Sequence, residues 1–214
     1  GDEILYETAT SDPNELLNST NTGFAGGINF TGSFKSPGNH IKLITTPITA
    51  VTGIAFGSEY INKDFEQYMI RIENLLVGTA NDDVALYSSS SNGSALSTME
   101  GGFIRNRVNG NDSGFTYNEN FLPIAMDNDE AVGQNHIYAT IRMYGAGGHG
   151  HTQFHSEAMT QNNGTSSVFY VYYGHAAADD TTPQNYVIIK SVQGNALTNT
   201  SGDGGQITLY GIET

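Results

Sequence analysis

Glu66-Gln67-Tyr68-Met69-Ile70-Arg71-Ile72-Glu73-Asn74 alternates with a period of two. Tyr68, Ile70 and Ile72 fall on one face, and Met69, Arg71 and Glu73 on the other. A helix needs apolar residues three and four apart, so this stretch reads as a strand with one face buried. Asn135–Tyr144 repeats the pattern, with Ile137, Ala139, Ile141 and Met143 opposite His136, Tyr138, Thr140 and Arg142. Working outward, further strand-like runs are Ile4–Thr8, Gly27–Phe34, His40–Thr45, Ala50–Phe56, Val84–Ser88, Gly102–Val108, Thr152–Ala158, Ser167–Tyr173, Tyr186–Val192 and Gln206–Ile212. Most are rich in the β-branched and aromatic residues that suit a pleated surface.

Turn signals separate these runs. Asn-Gly stands at 92–93, 109–110 and 163–164, Pro-Gly at 37–38 and Asp-Gly at 203–204. Only Asp12–Asn18 and Asn62–Phe65 have room for a helical turn. The expected fold is all-β: a single sandwich of jelly-roll type with about ten to twelve short antiparallel strands. Residues 1–45 are expected to form an N-terminal arm that anchors on a neighbour, or a first pair of strands. Residues 46–214 are expected to form the sandwich.

Composition narrows the function. The 214 residues carry a net charge of −14, 26 Gly, 12 Tyr, 10 Phe, no Cys and no Trp. Without Cys there is no disulfide framework, thiolate metal site or thiol nucleophile. The acidic balance opposes contact with a phosphate backbone, which Lys and Arg make. No apolar run approaches the ~20 residues of a membrane helix, so neither nucleic acid nor membrane insertion is expected. Gly1-Asp2-Glu3 is acidic where a signal peptide is basic, and a start at Gly rather than Met points to processing or trimming. Six Asn-x-Ser/Thr triplets, from Asn18 to Asn199, are read as products of an Asn-, Ser- and Thr-rich composition.

The sharpest polar cluster is Gly147-Gly148-His149-Gly150-His151-Thr152-Gln153-Phe154-His155-Ser156-Glu157. On one strand, His149, His151, His155 and Glu157 share a parity and form a candidate set of divalent-metal ligands. The spacing approaches a cupin motif but leaves five residues between His151 and Glu157, and the second cupin motif is absent. The alternative is a glycine-rich turn carrying solvated histidines. Acidic runs at Asp82-Asp83, Asp127–Glu130 and Asp179-Asp180 leave a surface calcium site open. An EF-hand fails, because Val132 and Tyr138 stand where Gly and Glu are required. No Gly-x-Ser-x-Gly or His-Glu-x-x-His occurs, and no catalytic residue is assigned. In Phe169-Tyr170-Val171-Tyr172-Tyr173, aromatic residues fall on both faces. Tyr170 and Tyr172 are therefore candidates for a core or subunit interface, or for a platform that stacks on sugar rings.

Asp64–Ile72, Gly114-Phe115-Thr116-Tyr117-Asn118 and the ending Gly202–Ile212, with its Thr208-Leu209-Tyr210-Gly211-Ile212, together resemble a jelly-roll domain of tailed-bacteriophage virion proteins. The resemblance spans residues 45–212. It implies a non-enzymatic structural part of a virion surface: a capsid decoration or cement protein, a head fibre, or part of a tail fibre. It also implies a homotrimer that contacts the major capsid protein or other virion proteins. The absence of shaft repeats favours decoration. A receptor-binding fibre module or carbohydrate-binding sandwich is the alternative, and a surface glycan is then the partner. A separate argument for assembly is that a sandwich with only four Lys has little charge to blunt its strand edges.

Overall fold

The computed structural model describes residues 40–78, 82–107, 110–111, 115–128, 136–148, 150–162, 168–198 and 204–213. Fourteen strands lie in this portion: β1 (His40–Pro47), β2 (Gly53–Phe56), β3 (Gln67–Val77), β4 (Asp82–Ser89), β5 (Met99–Arg107), β6 (Gly110–Asn111), β7 (Phe115–Glu119), β8 (Leu122–Asn128), β9 (Ile137–Tyr144), β10 (Gln153–Asn162), β11 (Val168–Ala178), β12 (Tyr186–Ser191), β13 (Leu197–Thr198) and β14 (Gln206–Ile212). All strand pairs are antiparallel. Ten strands form a large sheet, ordered β1-β14-β3-β9-β10-β11-β5-β6 with β13 on β3 and β7 on β5. The other four form a small sheet, ordered β2-β12-β4-β8. The fold is an all-β sandwich, as the period of two predicts. Asn62–Phe65 forms turns, not a helix.

The core is built from the inward parity of both sheets. Ile70, Ile72, Ile141, Met143, Phe154 and Tyr172 of the large sheet share one buried cluster with Phe56, Leu86, Leu122, Ile124, Val187 and Ile189 of the small sheet. Each fully buried aliphatic side chain contributes about 1.5–3 kcal/mol relative to exposure, so this cluster dominates the driving force. The parity of β3 breaks where its register against β9 shifts between Ile72 and Leu75, a bulge at which Asn74 takes a positive φ of 57°.

Strand β1 crosses the boundary expected between residues 45 and 46. It pairs along β14 from His40 to Pro47, so residues 40–45 belong to the large sheet. The rest of the expected arm, with the runs Ile4–Thr8 and Gly27–Phe34, lies outside the described residues. Edge strands β1, β2 and β8 are blunted by several devices. β2 has four residues, β8 carries Pro123, and β1 has a register irregularity between Lys42 and Ile44 and ends at Pro47. These three edges do not by themselves demand a covering partner.

Two fully buried polar side chains are tied down by hydrogen bonds. Asp82 is fully buried and accepts hydrogen bonds from Ser191 Oγ at 2.5 Å and Asn195 Nδ2 at 2.9 Å. Tyr68, also fully buried, donates to the Asn62 carbonyl at 2.5 Å and accepts from the Asn62 amide at 2.9 Å. Burial disfavours its phenolate and raises its pKa above the ordinary tyrosine value. The folded state thus holds this proton more tightly than the unfolded chain. Its stabilising share is complete below about pH 10 and is lost as pH rises through the higher folded value. Tyr68→Phe is expected to cost about 1–2 kcal/mol at neutral pH through the lost hydrogen bonds. It is also expected to flatten the alkaline fall in stability relative to the parent, measured as denaturant midpoints from pH 7 to about 11.

Candidate functional site

Of the predicted metal ligands, the structure places His155 and Glu157 on β10 and His151 before it. Gly145, Gly147, Gly148 and Gly150 all take positive φ, so the chain turns here and β10 begins only at Gln153. His151 lies exposed two residues before the strand. β10 therefore carries His155 and Glu157 but not His151. The physical reason is the left-handed backbone that the glycines permit. His149 lies outside the described residues. His155 and Glu157 do share the outer face of β10. His155 stands opposite His175 on β11 and Arg142 on β9, not beside a third imidazole of its own strand. Among the described residues, no group of three or more His, Asp or Glu converges as a metal site would require.

Tyr170 and Tyr172 point inward. They are 8% and 1% exposed, and Tyr172 stacks on Phe103 at 5.5 Å between ring centroids. Arg105 lies 5.6 Å from the Tyr170 ring centre. Both rings are core, so the sugar-stacking role does not fit them. The outward parity of β11 belongs instead to Val171 and Tyr173.

Asp82 is committed to its buried hydrogen bonds. Asp180 accepts from Ser90 Oγ at 2.6 Å and from the Thr182 amide at 2.8 Å. The Ser90 hydrogen bond, chiefly, holds its carboxyl below the usual carboxylate range. The side chain of Asp127 and residues 129–130 lie outside the described portion.

What sequence reasoning missed is the outer face of the large sheet. Register sets Arg71, Thr140, Glu157, Tyr173 and Ile104 directly opposite one another across β3, β9, β10, β11 and β5. One step along, Tyr138, Met159 and Val171 form a second row. On the other side, Met69, Arg142, His155 and His175 form a third. Tyr138, Met159 and Tyr173 are 47%, 57% and 40% exposed, unusually open for side chains of this size. A groove of about 640 Å³ runs over the second row, the first from Arg71 to Tyr173, and Met69 and Arg142 of the third. Arg71 pairs with Glu73 at 2.8 Å at one end, and Gln206 Nε2 donates to Glu73 at 2.6 Å. Arg142 and Glu157 also line the groove and make no ion pair among the described residues. The alternation of β9 already exposed Tyr138, Thr140 and Arg142. The signal lacking was the register that joins them to β10 and β11.

The two segments at the ends of the sandwich sequence meet in space. Gly211 of β14 stands opposite Tyr68 of β3, and the Phe65 ring covers it so closely that an added Cβ would lie 2.6 Å from that ring. Phe65 in turn meets Tyr68 edge-on at 5.8 Å. Comparisons with protein-family models, curated proteins and solved structures find no match to this chain.

Proposed function

We propose that the chain is a non-enzymatic structural component of a bacteriophage virion, a decoration or cement protein on the capsid surface. The observation that carries the reading is the winding of the sandwich. Without the inserted strands, β1-β14-β3-β9 faces β2-β12-β4-β8. Along the chain, β1, β2, β3 and β4 alternate between the sheets, and β8, β9, β12 and β14 return to alternate again. That order supports reading the sandwich as two Greek keys rolled into a jelly roll. A fold by itself hosts many functions. The reading therefore also leans on Asp64–Ile72 and Thr208–Ile212, the segments that resemble phage virion domains, which pack on each other through Phe65, Tyr68 and Gly211. An acidic, cysteine-free surface suits an exposed particle, where like charge discourages self-association. Assembly as a homotrimer against the major capsid protein belongs to the same proposal.

Antibody labelling of particles from the native source, viewed by electron microscopy, tests it. Label scattered over the head is the expected result. Label confined to the tail would move the protein to a fibre role, and absence of label from any particle would overturn the reading.

A further inference from the structure

We propose that the outer groove of the large sheet binds an uncharged saccharide, with Tyr138 and Tyr173 as stacking platforms and Arg142 and Glu157 as the hydroxyl-binding pair. The argument starts from exposure. Tyr138 and Tyr173 are 47% and 40% exposed, on β9 and β11, and Met159 and Glu157 of β10 lie between them on the register. Tyrosine presents a large apolar face at small entropic cost, and the axial C–H groups of a sugar ring pack on such a face. A volume of about 640 Å³ lies within the range of small-ligand sites, roughly 300–1,000 Å³.

The polar groups select the ligand. Thr140 stands between Arg71 and Glu157 in the central row, and Arg142 lies one row away. Arg142 is a donor fork, Glu157 an acceptor, and neither is spent on an ion pair among the described residues. A sugar hydroxyl both donates and accepts, so vicinal hydroxyls match this combination. Charge decides the subclass. Two arginines, Arg71 and Arg142, balance two glutamates, Glu73 and Glu157, within a chain of net charge −14. A locally neutral groove on a strongly acidic molecule favours a neutral polyol, while the surrounding field repels sulfated or sialylated chains. The groove lies largely on β9, β10 and β11. The last two are strands inserted beyond the eight of the roll, the kind of addition on which a binding site is grafted.

The test is binding of the full chain to an array of linear gluco-, galacto- and manno-oligosaccharides alongside sulfated and sialylated ones, followed by titration of any neutral hit. Binding to a neutral member is expected. It should weaken about tenfold or more in Tyr138→Ala and in Tyr173→Ala, as loss of a stacked ring implies. Arg142→Gln should weaken it as well. All three sites are on the open face, so the variants should keep the parent's circular dichroism and melting temperature. No neutral hit, hits on anionic glycans alone, or equal affinity in the variants would overturn the proposal. So would dissociation of an oligomer by Tyr138→Ala without any saccharide binding, which would make this face an interface between copies. None of these results bears on whether the protein sits on a virion.

Discussion

Tyr172→Ala should destabilise the protein by about 3–5 kcal/mol, the range for deleting a buried aromatic ring. Tyr172 is 1% exposed, stacks on Phe103 at 5.5 Å and lies 6.1 Å from Tyr170. Removing it opens a void between β11, β5 and the small sheet that rigid strands cannot close. For a chain of this size, each kcal/mol lowers the melting temperature by about 2–4 °C, so a fall of the order of 10 °C or more is expected in calorimetry. A near-unchanged melting temperature would mean that Tyr172 is a surface residue, as a glycan platform would require. Tyr173→Ala, its neighbour on the opposite face, should change the melting temperature little. The pair measures the parity of β11 directly.

Gly147→Ala should cost at least about 3 kcal/mol, because backbone strain and a backbone clash add. Gly147 has φ of +72°, and a Cβ there would lie 1.8 Å from the Asn62 carbonyl oxygen. That oxygen accepts the Tyr68 hydroxyl, and the Gly147 amide donates to Gln184 O at 2.9 Å. Gln184 is itself buried and accepts from Ser88 Oγ at 2.8 Å. Relief of the clash therefore disturbs the Asn62 turn, the Tyr68 hydroxyl and the Gln184 contact together. Gly194→Ala is the control. Its φ is +84°, but nothing lies within 4 Å of an added Cβ. It should cost only about 1–2 kcal/mol of strain. Equal losses in the two variants, read from urea denaturation midpoints, would contradict the close approach at Asn62.

The sandwich was legible where burial is one-sided. β9, and β3 as far as Ile72, alternate cleanly because one face is core and the other solvent, and β14 matches its expected limits at Gln206–Ile212. Where other constraints ruled, the reading fell short. β8 went unseen because Pro123 argues against a strand, yet as an edge strand it tolerates the missing amide. β11 was ended at Tyr173 because Gly174-His175-Ala176-Ala177-Ala178 looks like a break. The strand continues because β8 packs there: an added Cβ at Gly174 would lie 2.5 Å from Ser156 Oγ and 3.2 Å from Pro123 O. The smallness of that residue is a packing requirement, not a turn signal. In the His cluster the glycines do make a turn, the alternative reading of that segment. The groove shows a further limit. Each strand's outward residues could be read from parity, but Arg71, Thr140, Glu157, Tyr173 and Ile104 become one row only through register across five strands.

The central claim is that this sandwich decorates a virion head and turns its open sheet face to the surroundings. Cryo-electron microscopy of heads with and without the protein tests it most directly. The account predicts a symmetric density present only with the protein, fitted by the sandwich with Tyr138, Met159 and Tyr173 facing solvent. Identical reconstructions from the two samples would contradict it.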